Sequence, residues 1–167
     1  MTSIKQLTNG NLYQFMNIQV HTASPEETEA WGERLAHVLQ PGTILGLAGE
    51  LGAGKTCFVR GLATGLGVNS EAVHSPTFTL IAEHHGGRLP LYHIDLYRLE
   101  GAEIEELGLE EYLFGAGVSA IEWFRFLPGD LVREYVLVTV AFGTGEEERV
   151  LTFFAQGERY KQMLRAL

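Results

Sequence analysis

At 167 residues with 46% apolar side chains and a mean hydropathy of +0.03, the chain is long enough for one domain with its own core. It is too evenly mixed for a disordered or membrane-spanning protein. A net charge of −9 with only three lysines, and a pI near 5.1, argue against nucleic-acid binding by this chain alone, which needs clustered Lys and Arg.

Residues 1–17 show no clear period and are set aside as an N-terminal extension, leader or tag-derived, leaving a single domain over 18–167. A short strand is expected near Ile18–Val20. Ser24-Pro25-Glu26-Glu27 then forms a capping box with Pro at the first helical position, opening a helix to about Leu39 that Gly42 closes. The apolar run Ile44-Leu45-Gly46-Leu47-Ala48 reads as a buried strand. A helix over Thr56–Ala63 should face Phe58, Val59 and Leu62 inward, with Gly65-Leu66-Gly67 as its stop. Ser75-Pro76-Thr77-Phe78-Thr79-Leu80 leads into a strand ending near His84, and a turn at His85–Arg88 returns the chain into a strand over Leu89–Leu96. An acidic helical stretch follows to about Phe114, then a buried strand Val118–Ile121 with Glu122-Trp123 at its end. Strands at Val136–Val140 and Val150–Phe154 pair across Gly143-Thr144-Gly145, and a helix over Glu158–Leu167 ends the chain.

Between the first buried strand and its helix lies Gly49-Glu50-Leu51-Gly52-Ala53-Gly54-Lys55-Thr56, an unbroken G-x-x-x-x-G-K-[ST] phosphate loop in the strand–loop–helix order the motif requires. The alternative, a glycine-rich turn that happens to precede a lysine, does not account for both flanks. Gly49, Gly52 and Gly54 allow successive N–H groups to turn toward phosphate oxygens at the positive end of a helix dipole. Lys55, expected to be exposed at the loop, can reach the outer phosphates. Thr56 offers a hydroxyl to Mg²⁺. These residues point to a nucleoside triphosphate. The fold expected around them is α/β: a three-layer phosphate-loop NTPase sandwich on a mixed, mostly parallel sheet, with antiparallel strands at the C-terminal end.

Hydrolysis of a nucleotide needs an acid that holds the metal and a group that orients water. Asp95 and Glu122 each end an apolar strand, which puts both carboxylates at the sheet edge where the loop opens. Ser75–Thr79 occupies the place where related folds sense the terminal phosphate, and reads equally well as a polar turn. His93, Tyr97 and Arg98 cluster around Asp95. Arg98 could stabilise transition-state charge or pair with a glutamate. His74, His84 and His85 lack the spacing of a zinc site, so no structural metal is expected. Cys57 excludes an internal disulfide and reads as a small packed side chain, or as a thiol activated by the helix terminus. With no secretory leader in view, the cytoplasm is the expected location. Glu100, Glu103, Glu105, Glu106, Glu110 and Glu111 form either a solvated face or a docking surface for a basic partner.

Taken together, the phosphate loop, Ser75–Leu80, Tyr92-His93-Ile94-Asp95-Leu96-Tyr97-Arg98-Leu99 and Ile121-Glu122-Trp123 resemble the bacterial TsaE (YjeE) family from about residue 18 to 155. The resemblance implies an ATPase required for the threonylcarbamoyladenosine modification of tRNAs that read codons beginning with A. It implies ATP and Mg²⁺ as cofactors, and the TsaD and TsaB proteins as partners, whose complex is reset by ATP hydrolysis. Carried over by residue, Gly49–Thr56 with Cys57 and Trp123 would hold the nucleotide, and Thr56 and Glu122 the metal. Lys55, Asp95 and Thr77 would serve catalysis, with Thr77 and Thr79 in the phosphate-sensing segment. Cys57 stands where the family often has a second Thr. The rival readings are a small-molecule kinase, disfavoured because Arg88, Arg98, Arg125 and Arg133 are scattered and no lid appears, and an assembly factor that uses ATP only as a ligand. A GTPase is disfavoured because no Asn-Lys-x-Asp motif occurs.

Overall fold

The computed structural model describes residues 5–6, 17–99 and 102–167, so most of the N-terminal stretch set aside above lies outside the described residues. The chain runs β1 (Lys5–Gln6), β2 (Asn17–Thr22), α1 (Pro25–Ala36), β3 (Thr43–Ala48), α2 (Lys55–Leu66), β4 (Ile81–His84) and β5 (Leu91–Asp95). It continues α3 (Ala102–Glu105), α4 (Glu110–Leu113), β6 (Val118–Glu122), β7 (Tyr135–Phe142), β8 (Arg149–Gln156) and α5 (Glu158–Arg165). The strands form one sheet in the order β1-β2-β8-β7-β3-β6-β5-β4. Its centre is parallel, β7-β3-β6-β5. Antiparallel pairing occupies both flanks, through β7–β8 and β8–β2 on one side and β4–β5 on the other. The expected α/β sandwich on a mixed sheet is thus found.

Local chemistry explains where the elements begin and end. Ser24 caps α1 by accepting from the Glu27 N–H at 3.3 Å, while Glu27 Oε2 reaches one residue past the cap to accept from the Ala23 N–H at 2.9 Å, a variant of the expected capping box. The helix stops at Ala36 rather than Leu39. Val38 and Leu39 donate three residues back, to Leu35 and Ala36, so the last turn tightens and leaves the α-helical course while still delivering Leu39 to the core. β5 starts at Leu91 because Pro90 has no N–H to pair. The acidic stretch is two short helices instead of one, broken near Gly108 with its φ of +64°. Glu105, Glu106, Glu110 and Glu111 lie exposed along it.

Two apolar layers sandwich the sheet. On one face α1, α2 and α5 cover Leu45, Leu47, Val118, Ala120, Val136, Val138 and Phe153, with Phe58, Val59 and Leu62 fully buried as the helical spacing predicts. On the other, Ile44, Ile94 and Ile121 meet Ile104, Leu109, Leu113, Leu127 and Val132. Among the described residues no helix is long and apolar enough to cross a membrane.

α1 and α2 approach backbone to backbone at glycines: a Cβ on Gly61 would overlap the Glu29 carbonyl. Gly61→Ala is therefore expected to cost about 3 kcal/mol of stability, read as a clear drop in Tm. An unchanged Tm would mean that the two helices part without cost.

Candidate nucleotide site

Three parallel strands end side by side at one edge of the sheet. β3 runs into the phosphate loop, β5 ends on Asp95 and β6 ends on Glu122. The register pairs Asp95 with Glu122 and Leu47 with Glu122. Side chains alternate along a strand, so Ile94 and Ile121 face the layer under α3 and α4, while His93, Asp95 and Glu122 face the α2 side. α2 begins there with Lys55 and Thr56. The result is a cavity of about 310 Å³ whose wall includes Leu51, Gly52, Gly54, Lys55, Thr56 and Cys57 from the loop and helix. Ser75, Thr77, Asp95, Tyr97, Glu122 and Trp123 complete it.

Glu122 is the hub. It is 3% exposed, and its Oε1 accepts from the Thr56 hydroxyl at 2.7 Å and lies 2.9 Å from His93 Nε2. Burial pushes its carboxyl up, but the hydrogen bond and charge of His93, then Thr56 and Lys55, outweigh that and hold it below the ordinary value. A hydroxyl and a carboxylate oxygen thus sit adjacent at the mouth of the loop, a hard-oxygen pair of the kind Mg²⁺ takes alongside phosphate and water. His93 is fully buried, and Nε2 must carry its proton to donate to the carboxylate.

Asp95 is held from three sides. Its Oδ2 accepts from Thr77 Oγ1 at 2.6 Å and Ser75 Oγ at 3.3 Å, and its Oδ1 from the Tyr97 N–H at 2.8 Å. The segment before β4 is thereby tied to the end of β5. Two residues that are not glycine take left-handed backbones at this edge, Leu80 with φ +65° and Trp123 with φ +60°. Such strain persists only where the surroundings fix it. At Trp123 it turns the indole over Lys55, 4.4 Å from Nζ to the ring centroid, and against Tyr97 at 4.7 Å.

Several sequence expectations shift. Lys55 is not exposed: it is 4% accessible, under Trp123, and its Nζ donates to the Gly49 carbonyl at 3.1 Å and the Glu50 carbonyl at 2.9 Å. Burial lowers its pKa from the usual lysine value, with the charges of Glu122 and Asp95 opposing. His93 belongs to Glu122 rather than to Asp95. Arg98 lies over the Phe78 ring at 5.0 Å and lines no part of the cavity wall. Thr77 enters the wall, whereas Thr79 is exposed outside it. Gly49, Glu50 and Ala53 build the loop without entering the wall. Among the described residues, no group of three or more His, Cys, Asp or Glu is arranged to hold a metal by itself.

Cys57 packs in the wall with Sγ 3.3 Å from the Pro25 carbonyl, and burial together with the Glu29 charge pushes its thiol up to about 11. The activated-thiol alternative falls. Alkylation by iodoacetamide at neutral pH, followed by mass spectrometry, is expected to be far slower than for a free thiol. Labelling as fast as glutathione would contradict this.

Arg149 is a residue that sequence reasoning missed: its Nε donates to the Ala53 carbonyl at 2.7 Å from the start of β8. Its setting, behind Glu146-Glu147-Glu148, reads in sequence as an ordinary charged hairpin.

The fold and the strand–loop–helix edge define a protein of the phosphate-loop NTPase fold. Its overall structure is similar to the crystal structure of Bacillus subtilis YdiB, with a TM-score of 0.78 and 38% identity, covering 92% of this chain and 95% of that one. The family profile described as threonylcarbamoyl adenosine biosynthesis protein TsaE matches residues 22–151. The chain is 45% identical over 146 residues to the tRNA threonylcarbamoyladenosine biosynthesis protein TsaE of Bacillus subtilis, covering 87% of this chain and 90% of that protein. To the protein of the same name from Treponema pallidum it is 44% identical over 118 residues, covering 70% and 86%. The chain belongs to the TsaE family.

Proposed function

We propose that this chain is a Mg²⁺-dependent ATPase of the cytoplasm that serves threonylcarbamoyladenosine modification of tRNAs reading codons that begin with A. In this reading it binds the TsaD–TsaB complex and resets it by hydrolysing ATP, leaving tRNA contact to those partners. The carrying observation is the 2.7 Å hydrogen bond between Thr56 and Glu122 beside an intact phosphate loop, with a second carboxylate, Asp95, in the same wall. Membership of the TsaE family, whose relatives bear the threonylcarbamoyladenosine name, supports the pathway.

The chain's own residues have distinct tasks in this reading. The loop amides bind phosphate oxygens at the N-terminus of α2. Lys55 exchanges its bonds to the Gly49 and Glu50 carbonyls for bonds to the outer phosphates, a swap that moves a buried ammonium onto an anion. Thr56 and Glu122 hold Mg²⁺, which supplies charge neutralisation of the phosphates when bound. His93 keeps the Glu122 carboxylate turned toward Thr56. Asp95, with its lone pairs directed by Thr77, Ser75 and Tyr97, orients the attacking water. Trp123 covers the site from above.

Multiple-turnover modification tests the pathway. With TsaD–TsaB, tRNA and the activated threonylcarbamoyl donor, modified tRNA is expected to exceed the amount of the complex only when this chain and ATP are both present. Turnover that is indifferent to the chain would overturn the reset role.

A further inference from the structure

We propose that Arg149 is a positioning residue of the phosphate loop, acting through the Ala53–Gly54 peptide that it holds in one orientation. This rests on the nucleotide reading above and adds to it a group that touches no nucleotide. In a planar trans peptide the C=O and the following N–H point in opposite directions. Arg149 Nε binds the Ala53 carbonyl at 2.7 Å; neither residue lines the cavity whereas Gly54 does, and in this proposal the Gly54 N–H therefore lies on the side of the peptide opposite Arg149, toward that wall. The peptide needs such a hold. Gly54 closes it with φ of +108°, where glycine accepts either of the two peptide orientations that distinguish the common turn types.

The clamp is itself rigid. Arg149 Nη1 donates to the Glu146 and Glu148 carbonyls at 2.8 Å each, and the guanidinium lies 4.7 Å from the centroid of the Phe142 ring. A planar fork fixed at three points loses little freedom on binding a fourth. The β7–β8 hairpin also backs the loop at its other end, since a Cβ on Gly49 would overlap the Val140 carbonyl. The β7–β8 hairpin, in which β7 borders β3 in parallel and β8 pairs with it antiparallel, is therefore the template against which the loop is shaped.

The test uses Arg149→Met, which keeps the stem over Phe142 and removes the donors, and Arg149→Lys, which keeps one donor. In ¹⁵N-glycine-labelled ligand-free protein, the Gly54 amide resonance of Arg149→Met is expected to move or split, while those of Gly86 and Gly129 stay in place and Tm changes little. Its ATP dissociation constant should rise about 10-fold, and Arg149→Lys should recover part of both effects. A Gly54 resonance that coincides with the wild type overturns the clamp, as does a collapse in Tm for both variants. Failure of the wild-type chain to bind ATP would instead overturn the nucleotide reading, and the ligand-free spectra judge the clamp independently of it.

Discussion

Lys55→Ala is expected to bind ATP roughly 100-fold more weakly than the wild type, the equivalent of one or two charge-assisted hydrogen bonds to phosphate. The side chain supplies the ammonium at the start of α2, and no second lysine occurs among the residues of the cavity wall. The substitution touches stability as well, because Lys55 is buried. Removing it leaves the Gly49 and Glu50 carbonyls without their donor and takes a cation from beside Glu122, at a cost of about 1–2 kcal/mol. Titration with a fluorescent nucleotide, run beside a thermal melt, separates the two effects. ATP affinity equal to the wild type would contradict the assignment of Lys55 to the phosphates.

Glu122→Gln should lower Mg²⁺-dependent hydrolysis on the order of 100-fold while leaving metal-free nucleotide binding nearly unchanged. Gln retains a carbonyl oxygen that can accept from Thr56 and His93, so the hydrogen-bond geometry survives and the charge does not. The pH dependence of stability follows the same residue. The folded state holds the Glu122 carboxyl below its ordinary value of 4.5, so its contribution is fully present above that value and is lost as the pH falls through the folded-state value. Melting curves taken from neutral pH into acid should therefore fall more steeply for the wild type than for Glu122→Gln. Hydrolysis by Glu122→Gln at the wild-type rate would remove Glu122 from the metal site.

The strand, loop and helix around Gly49–Thr56 were legible in sequence because the motif encodes its own local geometry: glycines where the backbone turns, apolar runs on both sides. Asp95 and Glu122 were legible for a related reason, since an acid that ends an apolar strand lands at the sheet edge. What sequence could not supply depends on register and on distant contacts. His93 reaches Glu122, 29 positions away, only because β5 and β6 pair in parallel with Asp95 opposite Glu122. Arg149 reaches Ala53 across 96 positions, from a hairpin whose glutamates disguise it. The burial of Lys55 was invisible because it hangs on the left-handed backbone of Trp123, which folds the indole over the ammonium. The split of the acidic segment into α3 and α4 is the milder case: Gly108 was in view, but its positive φ was not.

Mg²⁺-dependent ATP hydrolysis by the purified chain, alone and with TsaD–TsaB and with Lys55→Ala as the control, decides whether the site is that of a partner-gated ATPase. Slow hydrolysis alone, a rise with the partners, and loss of both in Lys55→Ala are the expected results. Hydrolysis indifferent to the partners, or phosphoryl transfer that appears only with a metabolite acceptor, would contradict this and favour a kinase.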